Sequence, residues 1–305
     1  MTNTSAPGLK LADVALLTAV ALIWGLNFVV IALGLKGFPP LLFSALRFLV
    51  CAFPVIFFVP KPKVGWWSLL AVGIVLGTLV FAFLFVGINM GMAAGLSSLV
   101  MQMQVFFTVI LGGVMLKERP LPLNWFAVLL GLAGIAMIAV ERAENGGIAA
   151  FAVVLAGALS WGFANILLKT LPKVNMMHLM VWMSLVPPLP LLILSGLFEG
   201  WDRMQSAVVQ TTWLGVGAIL YTGLLSTVLA YGIWGRMLQR HTTTAVAPFA
   251  LLTPVFGLVS ASIFLGERYS GAEAIASILV VAALGLNIWA APLHGRISAM
   301  AHSRL

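Results

Sequence analysis

Arg47 is the residue in this 305-residue chain most able to do chemistry where it stands, because it is a cation inside an apolar run. It lies seven residues beyond Pro40, where that run begins, roughly 10 Å along a helix. An arginine that deep in hydrocarbon costs about 2.5–3.5 kcal/mol on insertion scales, so it must face water or a polar partner. Two roles are open to it. It can anchor the carboxylate of a bound molecule, or it can snorkel outward and brace a helix through backbone carbonyls. Gln102 and Gln104 sit near the middle of another apolar run, where amides need partners. On a helix they point about 200° apart, so one is expected to line a polar cavity and the other to bond a neighbouring helix. Asn27 and Asn165 pose the same choice. Each follows closely behind a Trp-Gly pair, and this matching placement favours bracing.

Phe81 and Phe85 are four residues apart, and Tyr231 and Trp234 three apart, so each pair shares a helical face. Such stripes are ordinarily core or lipid contact; beside a cavity they form its walls. Pro248 and Pro254 each remove a backbone hydrogen bond and can kink their run into a hinge. Catalytic chemistry is not indicated. No Gly-rich loop ends in Lys-Ser/Thr, so ATP does not power the chain directly, and no ATPase subunit is evident as a partner. No Gly-x-Ser-x-Gly nucleophile motif is present. No pair among His178, His241, His294 and His302 has metal-ligand spacing, and the single Cys51 excludes a disulfide framework. Neither a metal nor a cofactor is expected.

The elements that must position these residues follow from composition. Hydrophobic residues make up 62% of the chain and charged residues 8%, too few charges to cover a water-soluble surface. The expectation is an all-α membrane protein with lipid as its main surroundings. The net charge of +8 is scattered, with no basic run that would mark a nucleic-acid partner. Ten apolar runs have span length: Ala12–Leu33, Pro40–Val59, Trp66–Asn89, Ala93–Leu116, Pro122–Val140, Ile148–Lys169, Met177–Phe198, Thr211–Arg236, Thr242–Leu265 and Gly271–Ala291. The first is expected to stay as an anchor rather than to be cleaved. Counting Lys and Arg puts eleven on the side of the termini and four opposite, with Arg47 on neither. Both termini are therefore expected in the cytoplasm.

The chain also repeats itself. Trp24-Gly25 opens one half and Trp161-Gly162 the other, and each half later ends an apolar run in Glu-Arg, at Glu118-Arg119 and Glu267-Arg268. Laid without gaps, Gly91–Arg119 and Arg240–Arg268 share Phe107/Phe256, Leu116/Leu265 and both Glu-Arg residues, while Gln102 and Gln104 fall opposite Leu251 and Thr253. Five spans per half is an odd number, so the second half enters the membrane from the opposite face, an inverted-topology repeat. The expected division is 1–11 as an N-terminal tail, 12–141 and 147–291 as the repeats, and 292–305 as a cytoplasmic C-terminal tail. Gly73/Gly77, Gly87/Gly91 and Gly91/Gly95 are expected to allow close helix contact, and such faces permit self-association into a homo-oligomer.

Trp24-Gly25-Leu26-Asn27-Phe28, Arg47-Phe48, Gly91 through Val100, Tyr231-Gly232-Ile233-Trp234-Gly235, Val246-Ala247-Pro248 and Leu265-Gly266-Glu267-Arg268 resemble the EamA family of the drug/metabolite transporter superfamily. The likeness runs from about Asp13 to Trp289 and looks particularly like the bacterial O-acetylserine/cysteine exporter branch. It implies a bacterial inner-membrane exporter of small amino-acid-like metabolites, not an enzyme. Arg47, Gln102, Gln104, Asn27, Phe81, Phe85, Tyr231 and Trp234 are the candidate substrate contacts, and Pro248 and Pro254 the candidate hinge. Another cargo within the superfamily, such as a drug or purine, and a non-transporting scaffold are the rival readings.

Overall fold

Proline and glycine set many of the helix limits. A computed structural model describes residues 9–302, and the side chains of 9–290. Residues 1–8 of the expected N-terminal tail and 303–305 of the C-terminal tail, with Arg304, lie outside the described residues, as does the side chain of Arg296. The helices are α1 (Leu11–Gly34), α2 (Pro40–Ala52, followed by a 3-10 turn Val55–Phe58), α3 (Trp66–Asn89), α4 (Ala94–Met115), α5 (Pro122–Glu144) and α6 (Ile148–Thr170). The second half holds α7 (Met176–Met183), α8 (Pro188–Phe198), the short α9 (Trp201–Val209), α10 (Trp213–Arg240), α11 (Thr243–Leu265) and α12 (Gly271–His302). There is no strand among the described residues. Pro40 and Pro122 open α2 and α5 at the first turn, where a missing N–H costs nothing. Gly91, at φ +102°, turns the chain out of α3 in a conformation that other residues resist.

Nine of the described helices or continuous helix runs are long and apolar enough to cross a membrane. The expected seventh span differs: α7 and α8 meet at a 41° bend, and only as one broken span does this pair bring the number to ten. Pro187 and Pro188 can give no hydrogen bonds to the carbonyls of Met183 and Ser184, and proline in that position breaks a helix. The last helix runs on to His302, into the stretch expected as the C-terminal tail from residue 292. Loss of apolarity ends a membrane span without ending a helix. Exposed Trp67, Trp213, Phe198 and Val209 give the bundle the apolar exterior that lipid contact allows.

The halves are interlocked, and the contacts are reciprocal. The first helix of each half packs along the fourth of the other, α1 on α11 and α6 on α4. Each first helix also meets the other half's third, α1 with α10 and α6 with α3, and the fifth helices α5 and α12 pair with each other. The repeated residues make these contacts. A methyl added at Gly25 would fall 2.5 Å from Phe256 Cβ, and one at Gly162 would fall 2.7 Å from Phe107 Cβ. Thus the two Trp-Gly motifs and the shared phenylalanine are the two sides of one contact, made twice.

The third helices carry a matching irregularity. Gly73–Leu79 of α3 and Tyr221–Leu229 of α10 are wound as π-helix, with the hydroxyls of Thr78 and Thr227 donating to the carbonyls five residues back, Gly73 at 3.4 Å and Thr222 at 2.9 Å. When Gly91 is laid on Arg240, Thr78 falls on Thr227. The fourth helices break at equivalent places too: α4 is interrupted at Gln102, and α11 is a 3-10 helix from Ala247 to Leu251. Such interruptions in otherwise regular spans commonly mark functional positions.

Candidate functional site

Arg47 is 1% exposed and stands where α2 crosses the π-helical stretch of α10. The two backbones approach so closely that a methyl on Gly223 would lie 2.7 Å from the Arg47 carbonyl. One guanidinium nitrogen, Nη2, donates to Thr227 Oγ1 at 2.6 Å. The cation lies over the ring of Phe81 at 3.9 Å, with Phe48 at 4.9 Å and Phe85 at 5.9 Å. Ring faces attract a cation through their quadrupole but accept no conventional hydrogen bonds. Nε and Nη1 have no partner and are fully buried. The snorkelling role is therefore not the one this conformation adopts: the charge points into the protein with two donors free.

Phe81 and Phe85 are in T-shaped contact with each other, centroids 6.3 Å apart, and both belong to the wall beneath Arg47. Tyr231 and Trp234 instead gather on Trp24 of α1, each with its ring 5.2 Å from the Trp24 indole. The Trp24 Nε1–H donates to the Ser226 carbonyl at 3.0 Å, and the Tyr221 hydroxyl to the Ile23 carbonyl at 2.9 Å. The wide π turn is thus tied to α1 on one side and to Arg47 on the other. Tyr231 lies one helical turn beyond Thr227, so the aromatic group continues the same face of α10.

The two glutamines both bond neighbouring helices. Gln104 Oε1 accepts from Asn165 Nδ2 at 2.5 Å, and that amide also donates to Thr108 Oγ1 at 3.0 Å, stitching α4 to α6. Gln102 Nε2 donates to the Ala250 carbonyl at 3.4 Å. Pro254, four residues further on, has no N–H to give that carbonyl, so Gln102 satisfies an acceptor that the proline leaves free. The breaks in α4 and α11 therefore meet, and Pro248 and Pro254 flank the meeting point. Asn165 bonds a neighbouring helix, whereas Asn27 is buried with Oδ1 unpartnered; the matched asparagines do not share their contacts.

The Gln104–Asn165 bond yields a direct measurement. Double-mutant cycles of interhelical bonds in membranes average about 0.6 kcal/mol and reach about 1.7 kcal/mol. Gln104→Leu and Asn165→Leu are expected to couple by about 1 kcal/mol in a denaturation cycle in detergent, above that average because both amides are half-buried. Strictly additive losses would mean that the contact contributes nothing to stability.

Thr227 and Trp24 escaped the reading of single residues. Their signal was the repeat: Thr227 matches Thr78, and Trp24 matches Trp161. The acidic residues all lie at helix ends. Glu273 pairs with Arg142 and, through Ser270 and Glu141, joins α12 to α5. Glu118 pairs with Lys169 at 2.9 Å. Glu267 lies beside Tyr269, whose hydroxyl sits 3.0 Å from both Glu267 Oε2 and the Leu258 carbonyl. Burial and the adjacent carboxylate hold that phenol above its ordinary range, so it stays protonated and able to donate. A cleft of about 620 Å³ at the ends of α5 and α12 is lined by Met137, Glu141, Glu144 and Ser270, and by none of the residues around Arg47. Among the described residues, no group of histidine, cysteine and carboxylates could hold a metal.

Comparison with known proteins gives the family. The chain matches the EamA-like transporter family twice, over residues 12–140 and 148–289. A Salmonella typhimurium protein named "Probable amino-acid metabolite efflux pump" is 42% identical over 277 residues, covering 88% of this chain and 92% of that protein. The Escherichia coli K12 protein of the same name is 38% identical, covering 91% and 95%. "Uncharacterized transporter YoaV" of Bacillus subtilis is 28% identical over 88% of this chain and 94% of its own. A crystal structure with 17% sequence identity superposes with a TM-score of 0.57 over 90% of this chain and 96% of that one, which is likeness of fold. These relatives are transporters rather than enzymes, and two matched segments fill nearly all of the sequence. The chain belongs to the EamA-like transporter family.

Proposed function

We propose that the chain exports small amino-acid-type metabolites, such as cysteine or O-acetylserine, across the bacterial inner membrane by alternating access. Its two repeats, 12–141 and 147–291, are read as five-span halves of opposite topology with both termini cytoplasmic. The reciprocal packing of first on fourth helices supports this reading, as does the excess of Lys and Arg on one side. The names of the two relatives most similar among those described support an amino-acid metabolite as cargo. The observation that carries the proposal is Arg47, a fully buried cation with two unpartnered donors at the crossing of the halves. A carboxylate is the group whose paired oxygens fit a guanidinium fork.

A cationic drug is the poorer cargo, because no carboxylate stands at mid-span to receive it: every Asp and Glu lies near a helix end. For the same reason, proton coupling through a mid-span carboxylate is not supported. A scaffold without transport has no use for paired broken helices that meet at mid-membrane. Reconstitution into liposomes loaded with labelled cysteine, O-acetylserine, threonine and phenylalanine tests the proposal. Saturable efflux of the small polar amino acids is expected, measured with and without a pH gradient. If none moves under any gradient, the exporter reading fails.

A further inference from the structure

Two carboxylates at one end of the bundle close helix starts that belong to the other half. Glu267, in the loop after α11, accepts from the backbone N–H of Ala94 at 2.6 Å and of Gly95 at 3.0 Å, the first residues of α4. Glu199, after α8, accepts from Leu41 N–H at 2.7 Å and Leu42 N–H at 3.2 Å at the start of α2, and from the Ser195 hydroxyl at 2.5 Å. The first N–H groups of a helix have no partners within it and carry the positive end of its dipole, so a carboxylate there is doubly favoured. The fit at Glu267 is close. A methyl added at Gly95 would strike the Tyr269 hydroxyl and come within 3.1 Å of both Ala261 Cβ and Glu267 Oε2. At this end, Ala94–Met101 of α4 is buried throughout and packs on Leu252–Leu265 of α11.

At the opposite end the equivalent closure is not made. Thr243 and Thr244 of α11 correspond to Ala94 and Gly95; both are exposed, and among the described residues the Thr242 side chain does not cap that helix start. Glu118, the counterpart of Glu267, lies on Lys169 instead, with both side chains over two-fifths exposed. The local sequence differs in the same sense. Thr244 has a side chain where Gly95 has none, and Pro120 stands where Tyr269 braces Glu267.

Resting on the alternating-access reading above, we infer that Glu267 is a gate residue of the transport cycle. Its cap on α4 holds the outer end shut in this conformation and is released when the pathway opens outward. In that state Glu118 leaves Lys169 and caps Thr243 and Thr244, closing the inner end. The conformation described here, capped outside and uncapped inside, is the outward-closed member of the pair.

The test uses the full chain with Cys51→Ala and a reporter, Ser98→Cys. Ser98 is 1% exposed, one turn inside the cap, with its hydroxyl 3.5 Å from the Pro254 carbonyl. Labelling by a membrane-impermeant maleimide is followed in intact cells and in inverted vesicles. Adding Glu267→Ala is expected to raise the outside labelling rate about tenfold, within the usual span of coupled two-state equilibria. Adding Tyr269→Phe, which leaves the cap but removes one hydrogen bond to it, is expected to raise it about threefold. The second variant keeps the inference decidable where the first fails to insert. An unchanged outside rate in the variants that insert, or a rise confined to the cytoplasmic face, overturns it. Efflux by the parent chain is measured in the same preparation. A parent that moves no cargo defeats the exporter reading, whereas the labelling decides whether Glu267 shuts the outer end.

Discussion

Arg47→Met is expected to lower export by about a hundredfold or more, the scale set by truncating one partner of a buried charge pair, while the protein folds as stably as before or more so. Both halves of that outcome follow from the same geometry. A charge kept for stability should have its donors satisfied, because a buried ion contributes only when its partners repay the loss of water. Arg47 has one hydrogen bond, to Thr227, and three ring faces, and its Nε and Nη1 have nothing. Methionine fills a similar volume among Phe48, Phe81 and Phe85 and removes the unpaired charge. The thermal midpoint in detergent is therefore expected to stay within about 2 °C or to rise. Arg47→Lys keeps the charge but loses the fork, and is expected to raise KM about tenfold with less effect on kcat. A cargo whose carboxylate is replaced by an amide completes the comparison. The parent should discriminate strongly against the amide and Arg47→Met should not. Retained export, or a large loss of stability with discrimination unchanged, would make Arg47 a brace instead of an anchor.

What the sequence could disclose depended on whether a residue's partner was near in the chain or repeated in it. Apolar length located the membrane helices within a few residues, because hydropathy is a local property. It missed the break between α7 and α8, although Pro187-Pro188 was in plain view, because an apolar run reads the same whether the helix through it is straight or bent. The glutamines were read as one cavity residue and one brace. Both bond neighbours here, and the partner of Gln102 exists only because Pro254 leaves the Ala250 carbonyl free, a pairing that needs the fold. Gly73, Gly77 and Gly87 were read as close-contact positions; a methyl at each would meet Val186, Pro187 and Val154 respectively, all within the same chain. The glutamates at 118 and 267 were legible as a pair from the Glu-Arg echo, but that one caps a helix while the other sits on a lysine is a property of conformation, not of sequence.

Gly25→Ala and Gly162→Ala form the other large-effect pair, and their difference tests the reciprocal packing itself. Each adds one methyl at the contact between a first and a fourth helix, so both are expected to destabilise by overpacking, on the order of 1–3 kcal/mol. The sites are equivalent by repeat but not by surroundings. At Gly25 the methyl meets backbone as well as Phe256 Cβ, with Gly257 N and the Phe256 carbonyl carbon both at 2.9 Å. Backbone cannot turn aside, so α1 must move bodily off α11. At Gly162 the methyl meets Phe107 Cβ at 2.7 Å, but the nearest backbone atoms are at 3.4 Å, an ordinary contact. A small shift of α4, already interrupted at Gln102, relieves it. Gly25→Ala is therefore expected to lower the thermal midpoint by about 5 °C or more and Gly162→Ala by roughly half that. The functional effects should differ in the same order, because Gly25 lies beside Trp24, whose indole holds the π turn that presents Thr227 to Arg47. Export per folded molecule should fall in Gly25→Ala and be nearly preserved in Gly162→Ala. Equal losses at the two sites would mean that helix separation alone, and not the tie from α1 through α10 to Arg47, governs activity.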